Sequence, residues 1–248
     1  MRLLVSVRAG DEVAAALAGG ADIIDAKDPS RGSLGPVSPE VLQAIAARVP
    51  EQVPLSVALG DFTAPGRGRD AVRLAVAGAK VPVRRAPTYV KLGFAGEPSE
   101  AGVTCLVLAA MDVAAAMPLR PIVVPVAYAD QENAGSAAPE DVLRAAMAAG
   151  SRAFLLDTCM KDGRGLLEWI TLDRLRRLSA DARSAGMLLA IAGSLDLAAL
   201  VHVAGIADVI GVRGAACRGG RGGSVEAALV RRVRDRLGGE LTSLPAAG

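Results

Sequence analysis

Eight short apolar runs alternate with eight segments of helical periodicity, and this alternation restricts the fold more than any other feature. The predicted strands are residues 2–7, 22–26, 54–59, 89–94, 122–127, 153–157, 187–192 and 208–212. Strict alternation of strands and helices is typical of a parallel sheet. Eight such units in 248 residues match the usual size of a closed (β/α)8 barrel. We therefore predict an α/β fold with a single (β/α)8 TIM barrel.

The strand–helix series runs without a linker, so one domain is expected. We assign residues 1–238 to a catalytic barrel domain and expect residues 239–248 to form a loose tail. Helix N-caps are predicted at Ser38, which precedes a proline, and at Thr171 and Ser224. The alternative is an open doubly wound sheet. It is disfavoured because the first strand–helix turn, SVRAGDE, lacks the GxGxxG fingerprint of dinucleotide-binding folds.

The apolar segments are too short or too interrupted to indicate a membrane protein. Residues 102–117 form the longest one, and Asp112 interrupts it before the ~18 residues that a span needs. The N-terminus lacks a secretory pattern, and Cys105, Cys159 and Cys217 lie far apart without a disulfide framework. We expect a protein of the reducing cytoplasm with no membrane partner.

Charge and aromatic content argue against a nucleic-acid partner. The net charge is +2, and the chain has six aromatic residues in all, too few for a base-stacking platform. His202 is the single histidine and lies in a predicted helix. A multi-histidine metal site is therefore excluded, and so is a Ser-His-Asp triad that does not use His202. We expect no metal and no cofactor.

Lysine is rare in this chain, and its positions are informative. The 28 basic residues comprise 24 arginines and four lysines, namely Lys27, Lys80, Lys91 and Lys161. Arginine stays protonated, whereas lysine can act as an amine nucleophile or as a base. Lys80 falls at a helix end or loop and is predicted to be a surface residue. The other three lysines fall at strand ends, which form the site of a barrel enzyme.

The sequence ADIIDAKDP (residues 21–29) places Asp25 and Lys27 on one face at the exit of the second strand. Burial disfavours the ammonium form of a lysine, and the neutral amine can form a Schiff base with a carbonyl. A structural ion pair between Asp25 and Lys27 is the competing interpretation, because such pairs also perturb pKa values. The stretch alone leaves the two interpretations about equal.

Lys91 lies within the fourth strand, and Asp157 and Lys161 lie at the exit of the sixth. Alternate strands of a barrel contribute to one interior layer, so the three lysines can converge on one small substrate. We expect Lys91 to be the more buried and to act as a base. We expect Lys161 to pair with Asp157, stay charged, and hold a phosphate or a developing alkoxide.

The exits of the seventh and eighth strands resemble a phosphate site. Gly193-Ser194 and Arg213-Gly214-Ala215 offer unobstructed backbone N–H groups, and barrels commonly bind phosphate with these two loops. Arg213 or Arg218 can add positive charge. A glycine-rich loop is weak evidence by itself, and its position after the eighth strand strengthens the prediction.

Five motifs resemble the (5-formylfuran-3-yl)methyl phosphate synthases of methanofuran biosynthesis. They are DAKDPSRGSLG (25–35), YVKLGF (89–94), LLDTCMKDG (155–163), IAGSL (191–195) and GVRGAACRGGRGG (211–223), and the resemblance covers about residues 2 to 237. It is loose over residues 65–85 and in the tail. The resemblance implies a metal-independent (β/α)8 lyase that forms a Schiff base. Such an enzyme condenses two glyceraldehyde 3-phosphates with loss of phosphate and water.

The resemblance implies that Lys27 is the Schiff-base lysine and Lys91 the proton acceptor. It also matches Asp25, Asp157 and Lys161 to further positions of the site. Lysines and carboxylates can perform the required proton transfers without a metal or a nucleotide. Two alternatives stay open, namely another phosphate-binding barrel enzyme of the aldolase type and a non-catalytic barrel that binds phosphorylated metabolites. The sequence leaves the oligomeric state open, and a homo-oligomer is compatible with it.

Overall fold

The computed structural model describes residues 1–64, 68–80 and 83–238. The tail predicted at residues 239–248 lies outside the described residues, so its looseness stays a prediction. None of the helices in the described ranges has the length and apolar character that crossing a membrane requires.

Eight parallel strands close into a barrel in the order in which they occur along the chain, which confirms the predicted fold. Their bounds are β1 (Arg2–Val7), β2 (Ile23–Ala26), β3 (Leu55–Asp61), β4 (Thr88–Gly93), β5 (Ile122–Tyr128), β6 (Ala153–Asp157), β7 (Leu188–Ile191) and β8 (Val209–Val212). A separate hairpin of β9 (Cys217–Arg218) and β10 (Ser224–Val225) follows the barrel.

Helices follow the strands and form the outer layer. Their bounds are α1 (Glu12–Ala18), α2 (Pro39–Ala46), α3 (Gly68–Gly78), α4 (Glu100–Ala116), α5 (Gln131–Ala134), α6 (Pro139–Ala148), α7 (Leu172–Ser184), α8 (Leu197–Val203) and α9 (Ala227–Gly238). The side chains of Ser38 and Thr171 cap α2 and α7 as predicted, by accepting hydrogen bonds from the amides of Val41 and Arg174.

The two faces of each strand contact different surroundings, because successive side chains point to opposite sides. Outward-facing residues such as Val5, Val57 and Val90 pack in the large apolar core beneath the helices. Inward-facing residues are more polar: Ser6, Asp25 and Ser56 are register partners on β1, β2 and β3. This polar interior is where the candidate site lies.

Two local predictions differ from the structure. Ser224 does not cap the last helix; it pairs with Arg218 in the β9–β10 hairpin, and α9 begins three residues later at Ala227. The sequence also predicts a loop over residues 128–138, after the fifth strand, and the structure places the short helix α5 within this segment. Both differences lie in connections at strand exits. The α5 segment is hydrogen-bonded to the loop after β4, through the Gly96 amide and the Ala134 carbonyl, and the hairpin turns through a run of glycines.

Candidate active site

A cavity of about 490 Å³ opens inside the barrel and is lined by all five predicted catalytic residues. It is also lined by the loops after β7 and β8, and it extends down the barrel interior as far as Arg2 at the start of β1. Small inward-facing residues, namely Ala190, Ala192 and Gly211, leave this space unfilled. The interior therefore has room for a small ligand next to the lysines.

Asp25 and Lys91 form a buried ion pair in the cavity wall. The Lys91 Nζ lies 2.7 Å from the Asp25 Oδ1, and the Ser6 hydroxyl donates to the Asp25 Oδ2 at 2.8 Å. The Asp25 side chain is completely buried. Burial alone raises the pKa of a carboxyl, but the attraction of Lys91 and Lys27 outweighs burial and holds the pKa of Asp25 below 3.8. Asp25 is therefore a carboxylate.

Asp157 and Lys161 form a second ion pair, as the four-residue spacing predicts. The Lys161 Nζ donates to the Asp157 Oδ1 at 2.8 Å and to the Thr158 hydroxyl at 2.9 Å. Burial raises the pKa of Asp157, but the charges of Lys161 and Lys27 and the Thr158 amide outweigh burial. The pKa therefore falls from 3.8 to about 2. Lys161 is also the more exposed lysine, with 13% of its side chain accessible against 5% for Lys91.

Lys27 differs from both of these lysines. No carboxylate oxygen in the described part of the chain lies within 4 Å of its Nζ. Asp25 pairs with Lys91 instead, which does not support the ion pair with Lys27 that the sequence left open. Burial lowers the pKa of Lys27 from 10.5 to about 8; Asp157 opposes this change, and the Lys91 charge adds to it. Lys27 is thus poised to lose its proton near neutral pH.

The backbone after β7 and β8 faces the same cavity. Gly193, Ser194, Gly214 and Ala215 all line the cavity that Lys161 also lines. Ser194 has a φ of +49°, in the left-handed region that costs a non-glycine residue energy. Strain of this kind is often kept at functional turns. A Cβ at Gly193, where φ is +109°, would lie 3.1 Å from the Thr158 methyl group, so this turn requires glycine.

Arg213 lines the cavity, but its guanidinium is engaged elsewhere. Its five N–H groups donate to both Glu12 carboxylate oxygens and to the carbonyls of Ser6, Arg221 and Gly223. This network ties the loop after β8 to α1. A role as phosphate ligand stays a prediction, and it would require Arg213 to exchange these partners. Arg218 is exposed and pairs with Glu226.

Sequence reasoning did not single out Arg221, which also lines the cavity. Its guanidinium donates to the Gly32 carbonyl at 2.8 Å and so links the loops after β8 and β2. Burial lowers the pKa of Arg221, and Asp157 opposes that change, so the two side chains are within electrostatic reach. The sequence signal for Arg221 is its place in the motif GVRGAACRGGRGG, which also contains Arg213 and Arg218.

Residues expected outside the site are outside it. His202 lies on α8 and is absent from the cavity wall, and Lys80 follows α3 and is exposed. In the described ranges, no group of three or more histidine, cysteine, aspartate or glutamate side chains has the arrangement to hold a metal ion.

The model of the 4-HFC-P synthase family matches residues 3–234, which include every predicted catalytic and phosphate-binding residue. The chain belongs to the 4-HFC-P synthase family. Relatives named (5-formylfuran-3-yl)methyl phosphate synthase occur in methanogens. The protein of Methanothermobacter thermautotrophicus is 35% identical over 246 residues, which cover 96% of this chain and 99% of the relative. That of Methanopyrus kandleri is 35% identical, over 95% of this chain and 98% of its own length.

Solved structures with low sequence identity share the fold. Phosphoribosyl anthranilate isomerase from Thermotoga maritima superposes with a TM-score of 0.63 at 15% identity, over 96% of this chain and 99% of that one. A 3-hexulose-6-phosphate synthase superposes with a TM-score of 0.56 at 19% identity, over 95% and 99% of the two chains. These similarities show a shared barrel fold and nothing about activity.

Proposed function

We propose that this chain condenses two molecules of glyceraldehyde 3-phosphate into (5-formylfuran-3-yl)methyl phosphate, with release of one phosphate and two waters. Membership of the 4-HFC-P synthase family supports the reaction, since the relatives carry that name. The observation that carries the proposal is the state of Lys27. It is the one lysine of the cavity without a close carboxylate among the described residues, and its pKa is lowered to about 8.

In the first step, the neutral amine of Lys27 attacks the carbonyl carbon of one triose. A carbinolamine forms, and its hydroxyl leaves as water when the C=N bond of the iminium forms. Lys91 begins as the ammonium partner of Asp25, 2.7 Å away, and donates the proton that this hydroxyl needs. Asp25 stabilises the ammonium form before the transfer.

In the second step, the amine left on Lys91 removes a proton from the carbon next to the iminium. The iminium accepts the electrons of that C–H bond, so an enamine forms and Lys91 regains its charge. The second triose loses to solvent the proton on the carbon next to its aldehyde, and its phosphate leaves from the following carbon. The enamine carbon then bonds to the terminal carbon of the resulting unsaturated aldehyde. The hydroxyl oxygen next to that aldehyde closes the ring on the iminium carbon. Departure of the Lys27 amine from this carbon and loss of the second water complete the furan, and the aldehyde remains as its formyl group.

Two groups bind the negative charges of these steps. Lys161, held by Asp157 and Thr158, offers a fixed ammonium to a phosphate or to the enolate oxygen that forms during carbon–carbon bond formation. The backbone amides of Gly193, Ser194, Gly214 and Ala215 receive a phosphate group. The requirement for two phosphorylated substrates agrees with these two anion-binding positions in one cavity.

Incubation with glyceraldehyde 3-phosphate tests the proposal. We expect the mass of the furan phosphate, its ultraviolet absorbance and release of one inorganic phosphate per product. A hexose bisphosphate without furan absorbance would instead identify an aldolase, and unchanged substrate would identify a binding protein. Lys27→Ala is the control, because it retains the two ion pairs and the phosphate loops but lacks the amine.

A further inference from the structure

The loop after β6 carries Lys161, and its backbone determines where the ammonium lies. Lys161 follows Asp157 by four residues, and its side chain returns to donate to Asp157 and to Thr158. The intervening residues Cys159 and Met160 set the distance and direction of that return. Whatever holds their backbone therefore also fixes the charge that faces the cavity.

Asp130, just past the end of β5, holds this backbone with both oxygens of its carboxylate. The Oδ1 accepts from the amide of Cys159 at 2.7 Å, and the Oδ2 accepts from the amide of Met160 at 2.8 Å. Only 2% of Asp130 is exposed. On the other side of the loop, the Ser33 hydroxyl donates to the Thr158 carbonyl at 2.7 Å. The loop is thus held between the exits of β2 and β5.

The two contacts require a carboxylate. A buried charge is unfavourable unless hydrogen bonds compensate it, and backbone amides do so here. An asparagine has one acceptor oxygen, so its NH2 group would face one of the two amide N–H groups. The pair of contacts cannot survive that substitution, although the size of the side chain is unchanged.

We propose that Asp130 is a positioning residue that fixes the Lys161 ammonium against Asp157 through the amides of Cys159 and Met160. The inference rests on the proposed function, which gives Lys161 its task in the reaction. Asp130 does not line the cavity, so it acts through the loop. A small displacement of a charged group in a site of this kind lowers turnover by about 10- to 100-fold.

A double-mutant cycle tests the coupling. We expect Asp130→Asn to lower kcat by about 10- to 100-fold in the wild-type background. In the Lys161→Ala background it should lower kcat by about twofold or less, because the group that it positions is already gone. An equal factor in both backgrounds would overturn the inference and make Asp130 a residue of general structural importance.

Glu97→Gln is the matched control. Glu97 is also a buried carboxylate, with 3% exposed, and it accepts from the amides of Ala64 and Ser99 in loops that carry no site lysine. Its substitution removes the same kind of contact elsewhere at the mouth of the barrel. We expect Glu97→Gln to change kcat by the same factor in the wild-type background and in the Lys161→Ala background.

A second measurement does not depend on synthase activity. Pulsed acylation with acetic anhydride, followed by peptide mass spectrometry, reports how accessible each lysine amine is. We expect Asp130→Asn to speed the labelling of Lys161 several-fold relative to Lys27 and Lys91, and Glu97→Gln to leave the ratio unchanged. Unchanged Lys161 labelling in Asp130→Asn would refute the positioning role.

The two measurements distinguish the failure of each proposal. If the wild type makes no furan, the proposed reaction is wrong, and the labelling ratio still decides whether Asp130 positions Lys161. If Asp130→Asn does not fold, Asp130→Glu replaces it, because that variant keeps the charge and displaces the oxygens by one carbon. Faster Lys161 labelling in Asp130→Glu supports the inference, and wild-type labelling contradicts it.

Discussion

Replacement of Lys27 by methionine should stabilise the folded protein, although it removes the proposed nucleophile. Burial lowers the pKa of Lys27 from 10.5 to about 8, so the fold disfavours the ammonium form. One pKa unit corresponds to 1.36 kcal/mol, which makes the penalty roughly 3 kcal/mol. This value already includes the attraction of Asp157 and Asp25. We expect Lys27→Met to raise the free energy of unfolding at pH 7 by up to about 3 kcal/mol.

The same substitution at Lys91 should have the opposite sign. Lys91 lies 2.7 Å from Asp25, whose side chain is completely buried, so Lys91→Met leaves a buried carboxylate without its partner. Loss of one member of a buried ion pair typically destabilises a protein by about 3–5 kcal/mol. Lys91→Met is therefore a control, because it makes the same change of side chain at a second lysine of the same cavity.

The pH dependence of the free energy of unfolding shows whether the Lys27 ammonium causes the difference in stability. Between pH 8 and 10.5 the unfolded chain holds the Lys27 proton and the folded chain has lost it, so wild-type stability rises through this range. Lys27→Met lacks this increase. Its advantage over the wild type should be full below pH 8 and absent above pH 10.5.

Urea unfolding followed by circular dichroism at pH 7 and pH 10 measures both effects. Lys27→Met should gain stability at pH 7 and lose most of that gain at pH 10. If Lys27→Met is no more stable than the wild type at pH 7, the cavity does not disfavour the ammonium form of Lys27. The claim that burial makes the Lys27 amine lose its proton near neutral pH would then be wrong.

Three further predictions concern the rest of the cavity. Lys91→Arg should abolish turnover yet permit some Schiff base at Lys27. Lys161→Arg keeps its charge and should retain more activity. Equal losses in steady-state assays would contradict the assignment of Lys91 as the base and Lys161 as a fixed charge. A crystal soaked in phosphate should show an anion on the amides after β7 and β8, and an anion at the opposite end of the barrel alone would refute that site. Arg213→Met should lower stability in urea by up to about 3–5 kcal/mol, because the buried Glu12 carboxylate keeps only the half-exposed Arg8, 3.6 Å away, as a charged partner. A selective rise in KM at unchanged stability would instead identify a phosphate ligand.

The fold could be predicted from the sequence because its signals are local and periodic. Each strand and its following helix carry their own apolar pattern, and the Ser38 and Thr171 caps lie beside the helices that they begin. The sequence does not predict the hairpin at Ser224, because a loop of glycines rather than a run of alternating apolar residues pairs Ser224 with Arg218.

The members of the site could be predicted, but their pairing could not. Asp25 is close to Lys27 in sequence, yet barrel closure gives it Lys91 as a partner from two strands away. The pairing of Asp157 with Lys161 is predictable because only four residues of sequence separate them. Arg213 meets Glu12 across 201 residues, a contact that no local pattern encodes. Asp130 likewise acts on a loop that follows the next strand.

The identity of the lysine that binds substrate covalently is tested most directly by trapping. The protein is incubated with glyceraldehyde 3-phosphate and sodium borohydride, digested and mapped by mass spectrometry. We expect a reduced triose adduct on the peptide that contains Lys27, formed faster as the pH rises through about 8, where the amine loses its proton. An adduct confined to Lys91 or Lys161 would contradict the assignment of Lys27 as the nucleophile.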